Sequence, residues 1–386
     1  MYKRKLNLWG KFLPLTIFTK EIGMTQLGGI QFDFLSYPFF IIAFVYFLFN
    51  RKLSISKKEG IVFSIILSQG ILIDLIFDLP LILFFKQFLP IIIMYFSIKY
   101  IFLSNDIKLI FQKYVDYAII VAFIGIIQFI LKFFGILLLT DYSGFFIDSV
   151  ALEPSHYVIM ILPSVLYFYL KKDFSWRFWL LFITIILTFK LTGLLSIIMF
   201  ILIINIKKYL KFIIIGIPLI YSSIYIINSI PEFSNRIDSA LTYIESGDIH
   251  DINNMTTFSF LSNSEVAKEN FINTYGLGIG LGGHETTYIR NFSLNKIQKH
   301  WYGLNSKSAH SLSLRIISEL GILGVFIFFM LFYKSFKIKH LAYSTIAFAS
   351  LSHFIAKSFK LGSYFDYGTI FFLIVIIISI TKDKKI

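Results

Sequence analysis

PLILFFKQFLPIIIMYFSIKYIFL, residues 80–103, runs for 24 positions with only Lys86 and Lys99 charged. A membrane-crossing helix needs about 20 predominantly apolar residues, so this stretch is long and apolar enough to cross. The same texture extends both ways along the chain. Apolar runs lie upstream at 30–49 and 60–77, and downstream at 115–139, 156–170, 174–189, 191–206 and 212–227. After a long polar stretch, three more follow at 312–333, 341–358 and 366–380. A weaker run at 6–19 is interrupted by Lys11 and Pro14. The expected fold is an all-α polytopic membrane protein of about twelve transmembrane helices.

Composition agrees with that reading. The 386 residues are 57% hydrophobic and 15% charged, and 72 are aromatic, 46 of them Phe. A water-soluble fold of this length has too little interior for so much apolar surface, and disorder requires low hydrophobicity. There is no cysteine, which excludes disulfide frameworks, thiolate metal sites and cysteine nucleophiles. The net charge of +14 is not a nucleic-acid signature, because the positives cluster beside apolar runs as cytoplasmic loops require. Such clusters occur at Lys3–Lys5, at Arg51 with Lys52, Lys57 and Lys58, and at Lys108 with Lys113. Others are Lys171 with Lys172, Lys207 with Lys208 and Lys211, Lys334 with Lys337 and Lys339, and Lys382 with Lys384 and Lys385. Twelve spans put all of them on one side, with both termini inside. Lys357 and Lys360 are the exceptions. The basic start has no small-residue cleavage site and reads as retained.

Three parts follow: a transmembrane bundle at 1–228, an extracytoplasmic, partly helical loop at 229–311, and further transmembrane helices at 312–386. The loop holds six basic and eight acidic residues, and long ordered loops usually carry function. Ser229 and Glu232 form a capping box, after which Ile237, Leu241 and Ile244 recur at helical spacing and Gly247 stops the run. Ser262 and Glu265 form a second box, opening a helix that Gly276 ends. Both helices are expected to lie against the membrane bundle. Gly278, Gly280 and Gly283 match a dinucleotide fingerprint formally, but no cytosolic βαβ unit surrounds them; close backbone approach is the better reading. Asp248, His250 and Asp251 read as polar loop residues rather than a metal site, and no D-x-D pair occurs.

Several residues sit where membrane chemistry would need them. Glu153, before Pro154 and Ser155, opens a helix at its positive dipole end. His310 precedes a helix whose N-terminus favours anions and a neutral imidazole. Arg315 is spaced to pair with Glu319. Arg236 on the first loop helix offers a bidentate phosphate clamp. Lys190, in a tight outside turn, is a buried cation wanting an anion, and Arg290 is a weaker version of the same idea.

Together the element Glu153-Pro154-Ser155, the loop from Arg236 through Gly276–Gly280, and Ala309-His310-Ser311 leading into Ser318–Gly324 resemble the family of O-antigen polymerases and O-antigen ligases. That family includes capsule and exopolysaccharide repeat-unit polymerases. The chain departs from it where Lys190 stands in place of a frequent Ser-Arg, and where Ser311 replaces a frequent Asn. The resemblance implies a multi-pass enzyme of the bacterial cytoplasmic membrane. Its donor would be an oligosaccharide on polyprenyl pyrophosphate and its acceptor a sugar hydroxyl. The transfer would be inverting and metal-independent, with no cofactor. His310 would be the general base; Arg236, Lys190, Arg290, Arg315 and Glu153 would serve the pyrophosphate and substrate. A flippase and a chain-length regulator would be its partners, with no nucleic acid. The alternatives are a ligase moving finished glycan and a lipid-linked oligosaccharide flippase; the latter usually shows two similar halves, which this chain lacks.

Overall fold

The computed structural model describes residues 5–22, 24–27, 30–33, 35–50, 53–139, 144–205, 231–292 and 301–384. Among them the chain is helical apart from one antiparallel hairpin, β1 (Met24–Leu27) and β2 (Ile30–Asp33), in which Met24 pairs with Asp33 and Leu27 with Ile30. The helices are α1 (Leu8–Phe12), α2 (Leu15–Phe18), α3 (Ser36–Phe49), α4 (Lys57–Phe77), α5 (Leu81–Leu103), α6 (Ile107–Phe133), α7 (Pro154–Lys171), α8 (Trp176–Ile186) and α9 (Leu191–Ile204). They continue with α10 (Pro231–Ser246), α11 (Met255–Asn273), α12 (Gly283–Asn291), α13 (Leu312–Phe336), α14 (Leu341–Phe359) and α15 (Thr369–Asp383).

Four of them, α4, α5, α6 and α13, are long and apolar enough to cross a membrane. Their outward-facing side chains are apolar: Ile61, Ile65, Leu72 and Leu75 on α4, and Ile322, Phe326 and Phe329 on α13. Such surfaces mark a membrane protein. Near the middle stands α14, packed against α7, α9, α13 and α15. Its buried positions include Ala347, Ala349, Ser350, Ser352 and Ala356. Small residues let helices approach closely, and the two serines satisfy their hydroxyls on the carbonyls of Ile346 and Ala349.

Several boundaries differ from the sequence expectation, each for a local reason. The weak first run is two short helices broken at Leu13 and Pro14, because proline lacks the amide that a continuous helix needs. The run at 30–49 becomes helical only at Ser36, where Asp33 accepts the backbone amides of Leu35 and Ser36 at 2.9 Å. The run expected at 115–139 is α6, which starts eight residues earlier after Asp106 accepts the Lys108 amide. The expected capping box of Ser262 and Glu265 is not one. Helix α11 starts seven residues before Ser262, capped by Asn254, whose side chain accepts from Thr256 and Thr257; Ser262 is buried inside it. Helix α10 begins with Pro231 and stops before Gly247 as expected. Its apolar face, however, does not lie on the bundle, since Leu241 and Ile244 are exposed; the helix is tied to α11 by Tyr243, which donates to Glu265 at 2.5 Å. The run at 212–227, Ser229 and the Lys207 cluster lie outside the described residues.

The segment after α10 has a core of its own, made of Ile249, Ile252, Phe258, Val266, Tyr288 and Phe292. Each such side chain contributes about 1.5–3 kcal/mol when fully buried. The glycine loop between α11 and α12 then docks on α13. Helix α13 is interrupted at Gly321 (φ 56, ψ −141), and the loop supplies the missing partners. The Ile279 and Gly280 amides donate to the carbonyls of Ser318 and Glu319, and the Ile322 amide donates to Gly276.

Candidate functional site

A cavity of about 770 Å³ opens at the end of the bundle where α7 and α13 begin. The turn after α2 and the connection between α14 and α15 complete it. Four cations (Lys20, Lys307, Arg315 and Lys360), four carboxylates (Glu21, Asp33, Glu153 and Asp366) and two histidines (His156 and His310) line it.

The first turn of α7 supplies Glu153 and His156. Extended backbone at Glu153 (φ −135, ψ 146) followed by Pro154 starts the helix, since proline is preorganised for its first position. The Glu153 carboxylate forms an ion pair with Lys360 and accepts the Ser155 hydroxyl at 3.2 Å. Partial burial alone would raise its pKa; the charge of Lys360, joined by His156 when that ring is protonated, outweighs it and holds the carboxyl at about 2. His156 turns Nδ1 toward Glu21 Oε1 at 2.8 Å and the Tyr367 hydroxyl at 2.8 Å. Tyr367 also donates to Glu21.

The approach to α13 supplies His310. Ala309 and His310 both lie in the left-handed region (φ 51 and 61), which costs a side-chain-bearing residue about 1–3 kcal/mol and persists where surroundings overdetermine it. Here the His310 carbonyl accepts the Leu361 amide at 2.8 Å, and Ser311 caps α13 by accepting from Leu314. The imidazole is 6% exposed, with Nδ1 3.0 Å from Ser259 Oγ. Burial, and then the Lys360 charge, lower its pKa to about 4; the imidazole is neutral. Ser259 has one hydroxyl proton and two acceptors near it, His310 Nδ1 and the Leu304 carbonyl at 3.3 Å. Turned to Leu304, it leaves His310 with a lone pair on Nε2; turned to His310, it makes Nε2 a donor. Behind this pair Asn263 bonds the carbonyls of Ser259 and Leu304. Asn263 also holds His284 Nε2 at 3.0 Å, while His284 Nδ1 meets Ser318 Oγ at 2.7 Å. Burial and then Arg315 push His284 down to about 3, so it too is a neutral spacer.

Arg315, buried on the first turn of α13, donates to Glu319 at 3.1 Å and lies 4.4 Å over the Tyr364 ring. The helix-stabilising pair and the cavity cation are therefore one residue. Lys357 is buried too, donating to Thr369 Oγ1 at 2.7 Å and to the Ser363 carbonyl. Asp366 pairs with Lys20.

Of the residues expected from sequence, Glu153, His310 and Arg315 come together here. Lys190 does not: it is exposed rather than buried, at the start of α9 and 5.5 Å from the Phe146 ring. Arg290 is exposed at the end of α12, and Arg236 sits half-buried on α10; neither lines the cavity. Asp248 caps the turn holding His250, and all three residues of that group are exposed. Sequence reasoning missed Lys20, Glu21, His156, Asp366 and Tyr367 as site residues. For Lys357 and Lys360 a signal existed: they were the two cations that broke the charge rule.

Three of the four cations are ion-paired, Lys20 with Asp366, Lys360 with Glu153 and Arg315 with Glu319, and they stand beside the neutral imidazole of His310. Among the described residues, no three His, Asp or Glu side chains converge to hold a metal ion. No family model, no curated protein and no solved structure matches the chain.

Proposed function

We propose that this chain is a membrane glycosyltransferase joining polyprenyl-pyrophosphate-linked oligosaccharide repeat units into O-antigen, capsule or exopolysaccharide. Its setting is the outer face of a bacterial cytoplasmic membrane, with about twelve spans, both termini inside and the segment 229–311 outside. The observation that carries the reading is the buried, neutral His310 in a 770 Å³ cavity with Arg315 and the Lys360–Glu153 pair. The cavity cations would hold the pyrophosphate leaving group, whose growing charge they stabilise without a metal. His310 Nε2 makes no hydrogen bond among the described residues and would meet the reacting atoms. The lipid chain would lie along the Phe-rich helices.

The test uses cells whose copy of this chain carries His310→Ala. Expected are normal amounts of inserted protein, accumulation of single lipid-linked repeats and loss of long polymer. Wild-type polymer length in that variant would overturn the reading. Purified wild-type protein that moves lipid-linked repeats across vesicles without lengthening them would replace it with transport.

A further inference from the structure

His156 and Glu21 were singled out by nothing in the sequence, yet they form the arrangement that proton abstraction requires. The Nδ1 of His156 faces two oxygens at 2.8 Å, the Glu21 carboxylate and the hydroxyl of Tyr367, which itself donates to Glu21. A lone pair there would face a carboxylate, so Nδ1 carries a proton, and in the neutral ring the lone pair is on Nε2. Nε2 makes no hydrogen bond among the described residues; Glu153 Oε2 lies 3.8 Å from it, and the residue lines the cavity. The Glu21 side chain is 4% exposed and its other oxygen accepts the Leu152 amide at 2.5 Å, a third contact, so the carboxylate is fixed.

We infer that His156 is the general base that deprotonates the acceptor hydroxyl, with Glu21 as its positioning residue, and that His310 donates to the pyrophosphate instead. This rests on the glycosyl-transfer reading. A base must become imidazolium as the reaction proceeds, and a carboxylate behind it stabilises that charge. His156 has one; His310 has a serine hydroxyl, and burial and Lys360 oppose its protonation. In the step, His156 Nε2 takes the acceptor O–H proton while the acceptor oxygen bonds to the anomeric carbon. The bond from that carbon to the pyrophosphate oxygen breaks, and its electron pair leaves with the polyprenyl pyrophosphate. The proton passes from His156 to water before the next cycle.

The experiment uses full-length protein in nanodiscs and, as probe, lipid-linked repeats extracted from cells lacking this chain. His156→Gln should cut turnover by about 10²–10⁴-fold while leaving probe affinity close to wild type. Glu21→Gln should cut it comparably, because the amide can donate to Nδ1 and drive the proton onto Nε2. Glu21→Asp should recover part of the rate, and free imidazole should partly rescue His156→Gly, which no structural role explains. Should His156→Gln fail to fold, the isosteric Glu21→Gln decides. Turnover within about threefold of wild type in the folded variants would overturn the base, as would a loss wholly in probe affinity. Wild-type protein without transfer on this probe would overturn the glycosyl-transfer reading and the base with it.

Discussion

His310 and Arg236 show how far a residue's surroundings outrank its identity. The imidazole of His310 has a folded pKa of about 4 against an ordinary 6.5. Between those values the unfolded chain binds a proton that the folded chain refuses. Stability is therefore unaffected at pH 7 and falls as pH drops through that window. Acidification from pH 7 to 5 should lower the melting temperature of the wild type more than that of His310→Gln. Equal slopes in a thermal titration would mean the histidine is not held neutral. Arg236 has the better phosphate-binding chemistry on paper but sits outside the cavity. An exposed or half-exposed charge is worth about 0–1 kcal/mol, so Arg236→Ala should change donor affinity by less than about fivefold. Lys360→Ala strips Glu153 of its charged partner and should weaken donor binding by about 10–100-fold, the size of a lost charged hydrogen bond. Equilibrium binding of extracted donor separates the two.

At the scale of elements, the junction between the glycine loop and α13 sets where the site residues stand. A Cβ on Gly278 would lie 2.6 Å from the Gly321 nitrogen, and one on Gly321 would lie 2.0 Å from the Gly276 carbonyl. Both glycines have positive φ. The break at Gly321 follows directly on Ser318 and Glu319, which hold His284 and Arg315, so the junction carries the second layer of the cavity. Gly278→Ala should cost roughly 1–3 kcal/mol in strain, with a further ~1–3 kcal/mol of overpacking. On the proposed glycosyl-transfer reading, the measurable result is a lower melting temperature and loss of polymer together. A variant as stable as wild type would mean the loop can lift off α13 without consequence.

For the whole molecule the testable matter is sidedness. The cavity gathers the starts of α7 and α13 and the α14–α15 connection at one end, while the exposed Lys334 cluster lies at the far end of α13. A cysteine placed at exposed Asp251 should react with an impermeant thiol reagent in intact cells. One placed at Lys334 should react only after permeabilisation. The native chain has no cysteine, so labelling is unambiguous, and the reverse pattern would invert the proposed topology and its outward-facing site.

Membrane character, most helix positions and the elements opening on Glu153 and His310 were legible in the chain itself. Each is written in local runs: apolar length, a proline after an extended residue, a glycine after a periodic stretch. The charge rule even marked Lys357 and Lys360 as out of place, without saying why. What only the tertiary structure decided was which charges meet. Lys20 and Asp366 lie 346 residues apart, as do Glu21 and Tyr367, and no local pattern encodes a pairing across that distance. Nor could spacing distinguish Arg315, buried against the cavity, from Arg236 on the outer helix, since both stand on amphipathic turns. The difference is burial, and burial depends on what packs against a residue, which neighbours in sequence do not determine.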